Sequence, residues 1–421
     1  MMEKQIFAAL EIADDEIRLI LGEFFNTRFN VLKVERVPCQ GIINLQIQDK
    51  KVLTDTIRCM FANVSNKIGG KIERVLLSIP SKHMRRVSVK VTENIESIDR
   101  KVTILDMQRA MRKAMQMQLD SQLALINAVF SKFNCNGIST RRMPIGEICD
   151  EVNVQIDLLC ADRNLTFDIV SCVEEAGCNV MDVSLDCYAI AKEGALFEQT
   201  VEQNVVVVKL EQHMTTMALL YDGKYVSSEV INDGFGYWVE ALSKRYDLPM
   251  DVAIRLCKYN SRLEESRLSD SPIYIWSRNQ ITNTISERQL CEEIGEPVSY
   301  WINMLKDALR PIVESQRCTV VVLTGEGAEV QGLDWLMKNT LGCEVRKYSP
   351  ETLGARMPAL SCCLGLFYSY KDQLELLGNY ENSLNMEEFT KAIQYKKIEQ
   401  HSSDENTITG KLKSILFDTK D

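Results

Sequence analysis

Apolar positions open the chain in short runs. Residues 6–12 and 17–22 are apolar stretches separated by a compact acidic turn, and a third run over 31–37 ends at Pro38. This pattern predicts three strands joined by tight turns. From 49 to 68 the spacing changes: Val52, Ile57, Met60, Phe61 and Val64 fall on one face of a helix that Gly69 and Gly70 stop. RVLLSI at 74–79 is another buried strand, closed by Pro80. Strands, then a helix, then a strand is the order of a mixed α/β layer.

The stretch 82–162 has a different texture. Residues 87–91 alternate, a Met-rich helix is expected over RKVTILDMQRAMRKAMQMQL, and strands are expected at 128–133 and 151–159. It reads as a small inserted α+β module, its methionines as flexible core. Helices at 167–177 and 182–197 follow. The opening theme then returns with NVVVVKL at 204–210, a pairing strand at 216–221, an Asp222-Gly223 hairpin and a third strand at 225–231. Helices are expected at 235–246, 249–258 and 288–313, the last interrupted by Gly295 and Pro297, with Trp301 read as core. Residues 261–271 read as a polar loop or edge, and CTVVVL at 318–323 is a buried strand running into TGEG. Two halves with the same opening predict duplicated α/β domains with a cleft between them.

Composition narrows the function classes. The 421 residues carry 49 Lys and Arg against 59 Asp and Glu, a net charge of −10 that argues against a nucleic-acid partner. The 14 cysteines show no C-x-x-C spacing and there are 3 histidines, so no metal site is expected. Cysteines embedded in apolar runs fit a reducing, cytoplasmic compartment. The N-terminus lacks a cleavable signal pattern, and no apolar run is long enough to span a bilayer, so any membrane contact is expected to be peripheral.

The C-terminus offers such a contact. After about residue 380 the chain turns polar and mixed in charge, which predicts a flexible linker over 381–405. In 406–421, Ile408, Leu412, Ile415 and Leu416 form one helical stripe, with Phe417 at its margin and Lys411 and Lys413 flanking it. A short amphipathic helix on a linker is expected to seek a lipid surface, each lysine near anionic lipid adding about 1 kcal/mol. Docking on a partner or back on its own domain is the plainer alternative.

Several segments, taken in order, carry a family resemblance. MPIG at 143–146 lies in the inserted module; CVEEAGCNVMDVSLDCYAIAKEGA begins at Cys172; ALLYDGKYVSSEVINDGFGYWVEALSKRYDLPMDVAIRLCKY follows; LTGEGAEVQGLDWL begins at Leu323 and ALSCCLGLFY at Ala359. Together they resemble the actin/Hsp70/sugar-kinase superfamily and, within it, FtsA, the bacterial actin-like division protein. The resemblance implies a two-lobed actin-like fold. Its first lobe would comprise 1–81 and 163–190, with the FtsA-type subdomain inserted at 82–162. The second lobe would span 191–380, with an outer helical part at about 235–315 and a last helix at about 360–380 returning to the first lobe. It further implies an FtsZ-like filament partner, self-association, a C-terminal membrane helix, and a place on the cytoplasmic face of the membrane at the septum. A pilus-type actin-like scaffold and a small-molecule kinase of the same superfamily are the alternatives.

The family's nucleotide turns are altered here. Where the first reads D-I-G-[ST], this chain has Glu11-Ile12-Ala13-Asp14-Asp15-Glu16; where the second reads D-I-G-G-G-T-T-D, it has Lys209-Leu210-Glu211-Gln212-His213-Met214-Thr215-Thr216. Side chains replace glycines that let backbone approach phosphate, and acids stand where a polyanion would sit. Glu11 could hold hydrated Mg²⁺, whereas Lys209 cannot; Lys209 and His213 have a surface or strand-edge place as their plainer reading. Gly325 and Gly327 of the adenosine-type loop leave a purine contact open, beside the simpler reading of a tight strand-to-helix turn. Phosphate binding and ATP hydrolysis are read as lost, so neither an enzyme nor a required ATP/Mg cofactor is expected.

Overall fold

The computed structural model describes residues 4–25, 28–39, 41–264, 267–278, 280–315, 317–377 and 381–392. The first lobe opens with β1 (Gln5–Ile12), β2 (Glu16–Phe25) and β3 (Arg28–Pro38), antiparallel neighbours in sequence order. A two-residue hairpin, β4 (Ile42–Ile43) and β5 (Gln46–Ile47), leads to α1 (Lys50–Ile68). Asp49 starts that helix by accepting the Val52 N–H at 3.0 Å, and Leu53, Ile57, Met60, Phe61 and Val64 supply its buried face. β6 (Arg74–Ile79) then runs parallel to β1.

The chain leaves the lobe here for the inserted module. β7 (Arg85–Asn94), α2 (Ile104–Met115), β8 (Leu123–Cys135), β9 (Ile138–Thr140) and β10 (Glu151–Asp162) make a sheet of order β7-β10-β8-β9 with the helix on one face. Alternation builds its core: Val152, Val154 and Ile156 point inward while Glu151 and Asn153 face water. The methionines are less internal than the pattern predicted. α2 stops at Met115; Met107 is buried, but Met115 and Met117 are exposed.

On return, α3 (Arg163–Glu175) leads to β11 (Asn179–Leu185), which pairs in parallel with β6, so the first sheet runs β3-β2-β1-β6-β11. α4 (Asp186–Glu193) and the short α5 (Leu196–Gln199) connect to the second lobe. There β12 (Asn204–Leu210), β13 (Thr215–Tyr221) and β14 (Lys224–Ile231) repeat the antiparallel opening. Both Asp222 and Gly223 take positive φ in the hairpin that joins the last two.

α6 (Phe235–Tyr246) and α7 (Met250–Asn260) pack outside the sheet, followed by the hairpin β15 (Pro272–Arg278) and β16 (Ile281–Ser286) and by α8 (Glu287–Val313). α8 corrects the expectation of an interrupted helix. It is continuous through Gly295 and Pro297 because Leu290, Ile294, Val298, Trp301, Ile302 and Leu305 form one buried stripe across that point. Trp301 is core, its indole N–H donating to Thr215 Oγ1 at 2.8 Å. The β15–β16 hairpin lies just beyond the polar 261–271 stretch and was not expected.

β17 (Thr319–Thr324), α9 (Leu333–Leu341) and β18 (Glu344–Lys347) complete the second sheet, β14-β13-β12-β17-β18. Strand order and sense match those of the first sheet, so the lobes are topological copies. α10 (Ser361–Leu377) crosses back to the first lobe against α4, so closely that a Cβ on Gly365 would collide with the Ala189 carbonyl.

The first residues of the expected linker are folded instead. Residues 381–392 dock on the first lobe: the Ser383 N–H donates to the Ile6 carbonyl at 2.8 Å, and its hydroxyl accepts the Ala8 N–H at 2.9 Å. Residues 393–405 and the proposed membrane residues Ile408, Lys411, Leu412, Lys413, Ile415, Leu416 and Phe417 lie outside the described residues. Among the described residues no helix is long and apolar enough to cross a membrane. No disulfide joins any of the fourteen cysteines, eleven of which are buried.

Candidate functional site

Duplicated lobes bring equivalent turns face to face. The β1–β2 turn closes with the Ala13 N–H on the Glu16 carbonyl, and the β12–β13 turn closes with the Glu211 N–H on the Met214 carbonyl, each at 2.9 Å. The turns touch. The His213 N–H donates to Asp14 Oδ2 at 2.8 Å, so a backbone donor of the second turn is spent on a carboxylate of the first.

Between and beneath the turns lies a buried charge network. Arg18, fully buried on β2, donates to both carboxylate oxygens of Glu211, at 2.9 Å from Nη1 and 2.7 Å from Nη2. The same guanidinium reaches Glu16, Glu11 at 3.3 Å and the Ala359 carbonyl at 3.0 Å. Lys209, at the end of β12, donates to Glu11 Oε1 at 2.6 Å and to Asp186 Oδ2 at 2.9 Å. Glu11 and Lys209, both singled out in the sequence, are therefore brought together as partners. Lys209 is also buried, not at a surface or strand edge, because carboxylates from two elements, Glu11 of β1 and Asp186 of α4, converge on its ammonium group.

The network extends on its open side. Arg36 from β3 pairs with Glu16 and lies 3.5 Å from Glu326, while Lys258 from α7 binds Glu326 at 2.9 Å and also Glu329. Fully buried charges are tolerated only with such pairing. Proton affinities follow the partners. Burial works against the ionised forms of Arg18 and Lys209, but Glu211 and Glu11 around Arg18, and Asp186 and Glu11 around Lys209, hold both cations well above their ordinary pKa values. Burial raises and Lys209 lowers the pKa of Asp186, and the lowering wins. Asp15 is the exception: burial, then the Glu326 and Glu211 charges, push its carboxyl up to about 8. Asp15, Glu211 and Glu326 bring one carboxylate oxygen each within 4.8 Å of one another, a spacing at which Asp15 holds a proton at neutral pH.

Gly325 and Gly327 are placed by packing. Gly325 has φ +87°, and a Cβ there would lie 2.6 Å from the Leu210 carbonyl oxygen; at Gly327 it would meet the Leu210 side chain at 2.5 Å and Phe235 at 3.0 Å. The loop turns tightly over the end of β12 because no side chain intervenes. Sequence reasoning missed Arg18, Arg36, Asp186 and Lys258. A signal for the first was present: Arg18 is one cation inside the apolar run IRLILG, where burial demands a partner.

No protein-family model matches the chain. Among curated proteins it is similar to the cell division protein FtsA of Bacillus subtilis (strain 168), 21% identical over 369 residues, 87% of this chain and 83% of that one. The protein of the same name from Enterococcus hirae is 20% identical over 364 residues, 86% of this chain and 82% of its own length. Along nearly nine-tenths of its length, this chain is similar to proteins named cell division protein FtsA. The fold agrees. A chain of the PilM-PilN type IV pilus biogenesis complex superposes with a TM-score of 0.57 at 14% identity, covering 87% of this chain and 98% of that one. The FtsA-like chain has the two-lobed actin-like fold, with its own charged side chains across the cleft between the turns.

Proposed function

We propose that this chain is an FtsA-like division adaptor. It tethers an FtsZ-like filament to the cytoplasmic face of the membrane at the septum, and it works without bound nucleotide. Homology to proteins named for cell division, along nearly nine-tenths of the chain, supports the first part. The observation that carries the second is the filled cleft, in which the Asp14–His213 bond and the Arg18–Glu211 pair connect the two turns directly.

A Mg-nucleotide does not fit these residues. The second turn's His213 N–H already has an acceptor, and the carboxylates of Glu16 and Glu211 would repel a polyphosphate. Glu11, which could have held a hydrated metal, is already shared by Arg18 and Lys209. The loop at Gly325 and Gly327 rests against Leu210, and Lys258 bridges Glu326 to α7 beside it. With no phosphate cradle there is no hydrolytic step to assign, and we read the chain as a non-enzyme.

Membrane attachment falls to residues 406–421, whose apolar stripe and lysines suit an anionic bilayer surface. One such segment binds weakly, so attachment depends on several copies held together by self-association or by the filament. The outer part of the second lobe, α6 to α8, is the filament-facing surface in this reading, with Tyr300 exposed beside the buried Trp301. Flotation of the full-length chain with anionic liposomes, with and without the cell's own FtsZ filaments, tests the adaptor role. Full-length protein should float and carry filaments with it, and a chain ending at residue 405 should stay at the bottom. Equal behaviour of the two chains would refute the tether.

A further inference from the structure

We infer that the charge network across the cleft is a built-in clamp, which holds the two lobes closed in the absence of any small molecule. This rests on the nucleotide-free reading above and goes beyond it, since a cleft lacking nucleotide could equally well gape.

The directions of the contacts carry the argument. Arg18 is a first-lobe cation bound to a second-lobe anion, Glu211, through two parallel bonds. Lys209 is a second-lobe cation bound to two first-lobe anions, Glu11 and Asp186. Each lobe thus supplies one cation and an acidic acceptor, and the two bridges cross in opposite senses. Opening or sliding the lobes breaks both together. Glu11 couples them further, because it accepts from Arg18 at 3.3 Å and from Lys209 at 2.6 Å. Arg18 also holds the Ala359 carbonyl, just ahead of α10, the helix that returns to the first lobe.

The bidentate geometry fixes orientation as well as distance, which a lysine at position 18 would not do. Every member of the core is buried, so losing one partner leaves the others charged in a poorly hydrated place. That makes the clamp close to all-or-none. A ligand-bridged cleft opens when its ligand leaves; this one has no component that can leave. Its closed state is therefore insensitive to nucleotide concentration.

Hydrogen exchange of the full-length chain, followed by mass spectrometry without nucleotide, tests the clamp. The readout is the turns at 13–15 and 212–214, with the strand interiors at 6–10 and 205–208 as folding controls. Arg18→Gly should raise exchange at both turns by about tenfold or more while the strand interiors keep wild-type protection. Low-millimolar guanidinium, which can occupy the vacated carboxylate cage, should restore protection, and sodium at equal ionic strength should not. Should Arg18→Gly fail to fold, Glu211→Gln is read by exchange at the turns alone, since it keeps Arg18 and leaves guanidinium no cage to enter. Wild-type exchange at the turns in both variants, or raised exchange in Arg18→Gly that guanidinium leaves unchanged, would overturn the clamp. Protection of the wild-type turns by Mg-ATP is a separate outcome, and it would overturn the nucleotide-free reading on which the clamp rests.

Discussion

Asp14 and His213 stand 199 residues apart in the chain, yet the backbone N–H of one donates to a carboxylate oxygen of the other at 2.8 Å. Each belongs to the first hairpin turn of its lobe. Their contact joins the two turns directly. Asp14→Ala leaves the part-buried His213 N–H without its acceptor and should lower stability by about 1 kcal/mol, whereas Asp14→Asn keeps an acceptor and should lose less. Urea unfolding of the two variants beside the wild type checks the ranking.

Asp15 gives the cleft a pH signature. Its folded pKa of about 8 lies above the ordinary value of 3.8, so the folded state binds a proton that the unfolded state has released. The contribution of this group to stability therefore falls as pH rises from about 4 and levels off above its folded pKa. Asp15→Asn imitates the protonated form. Its gain over the wild type should be near zero at pH 4, should grow to pH 8 and then stay flat, which thermal unfolding across that range measures. A constant difference across the range would show that Asp15 ionises normally.

Two glycines on long helices should behave in opposite ways. Gly365 on α10 touches the Ala189 backbone of α4, and an added methyl has nowhere to go. Gly365→Ala should cost about 1–3 kcal/mol or more as the helices are forced apart. Gly295 on α8 has nothing within 4 Å of where its Cβ would be, and Gly295→Ala should stabilise by up to about 1 kcal/mol through helix propensity. Melting temperatures that shift in opposite directions are the expected result.

Trp301 ties the long helix to the second sheet. Trp301→Phe deletes the indole N–H that satisfies Thr215 and leaves a void at a fully buried site. The expected loss is about 1–3 kcal/mol. In a double-mutant cycle with Thr215→Val, measured by urea unfolding, the two losses should be less than additive. Additive losses would mean that the bond contributes nothing.

The strands of both lobes were legible because buried strands announce themselves: FAALEI and NVVVVKL are short apolar runs ended by polar turns. The duplication followed from the repeat of that pattern. The β15–β16 hairpin was not legible, since a two-stranded ribbon that leaves Ile275 and Ile281 exposed has no full apolar face to write into the sequence. Pro297 misled in the other direction, for local propensity forbids what the buried stripe from Leu290 to Leu309 sustains. At the cleft, the loss of glycines could be read directly, but the replacement could not. Arg18 and Glu211 are distant in sequence, and only the folded arrangement of the lobes pairs the cation of one apolar strand with the acid that follows another. The hint lay in parity of charge: Arg18 in IRLILG and Lys209 in VVVVKL are each a single cation inside a strand with no room for water.

The central claim is that the chain's own side chains occupy the place of a nucleotide, and calorimetric titration of the full-length protein with Mg-ATP tests it most directly. The account predicts no saturable heat at concentrations that saturate nucleotide-binding actin-like proteins. A binding isotherm with micromolar affinity and one site per chain would contradict it.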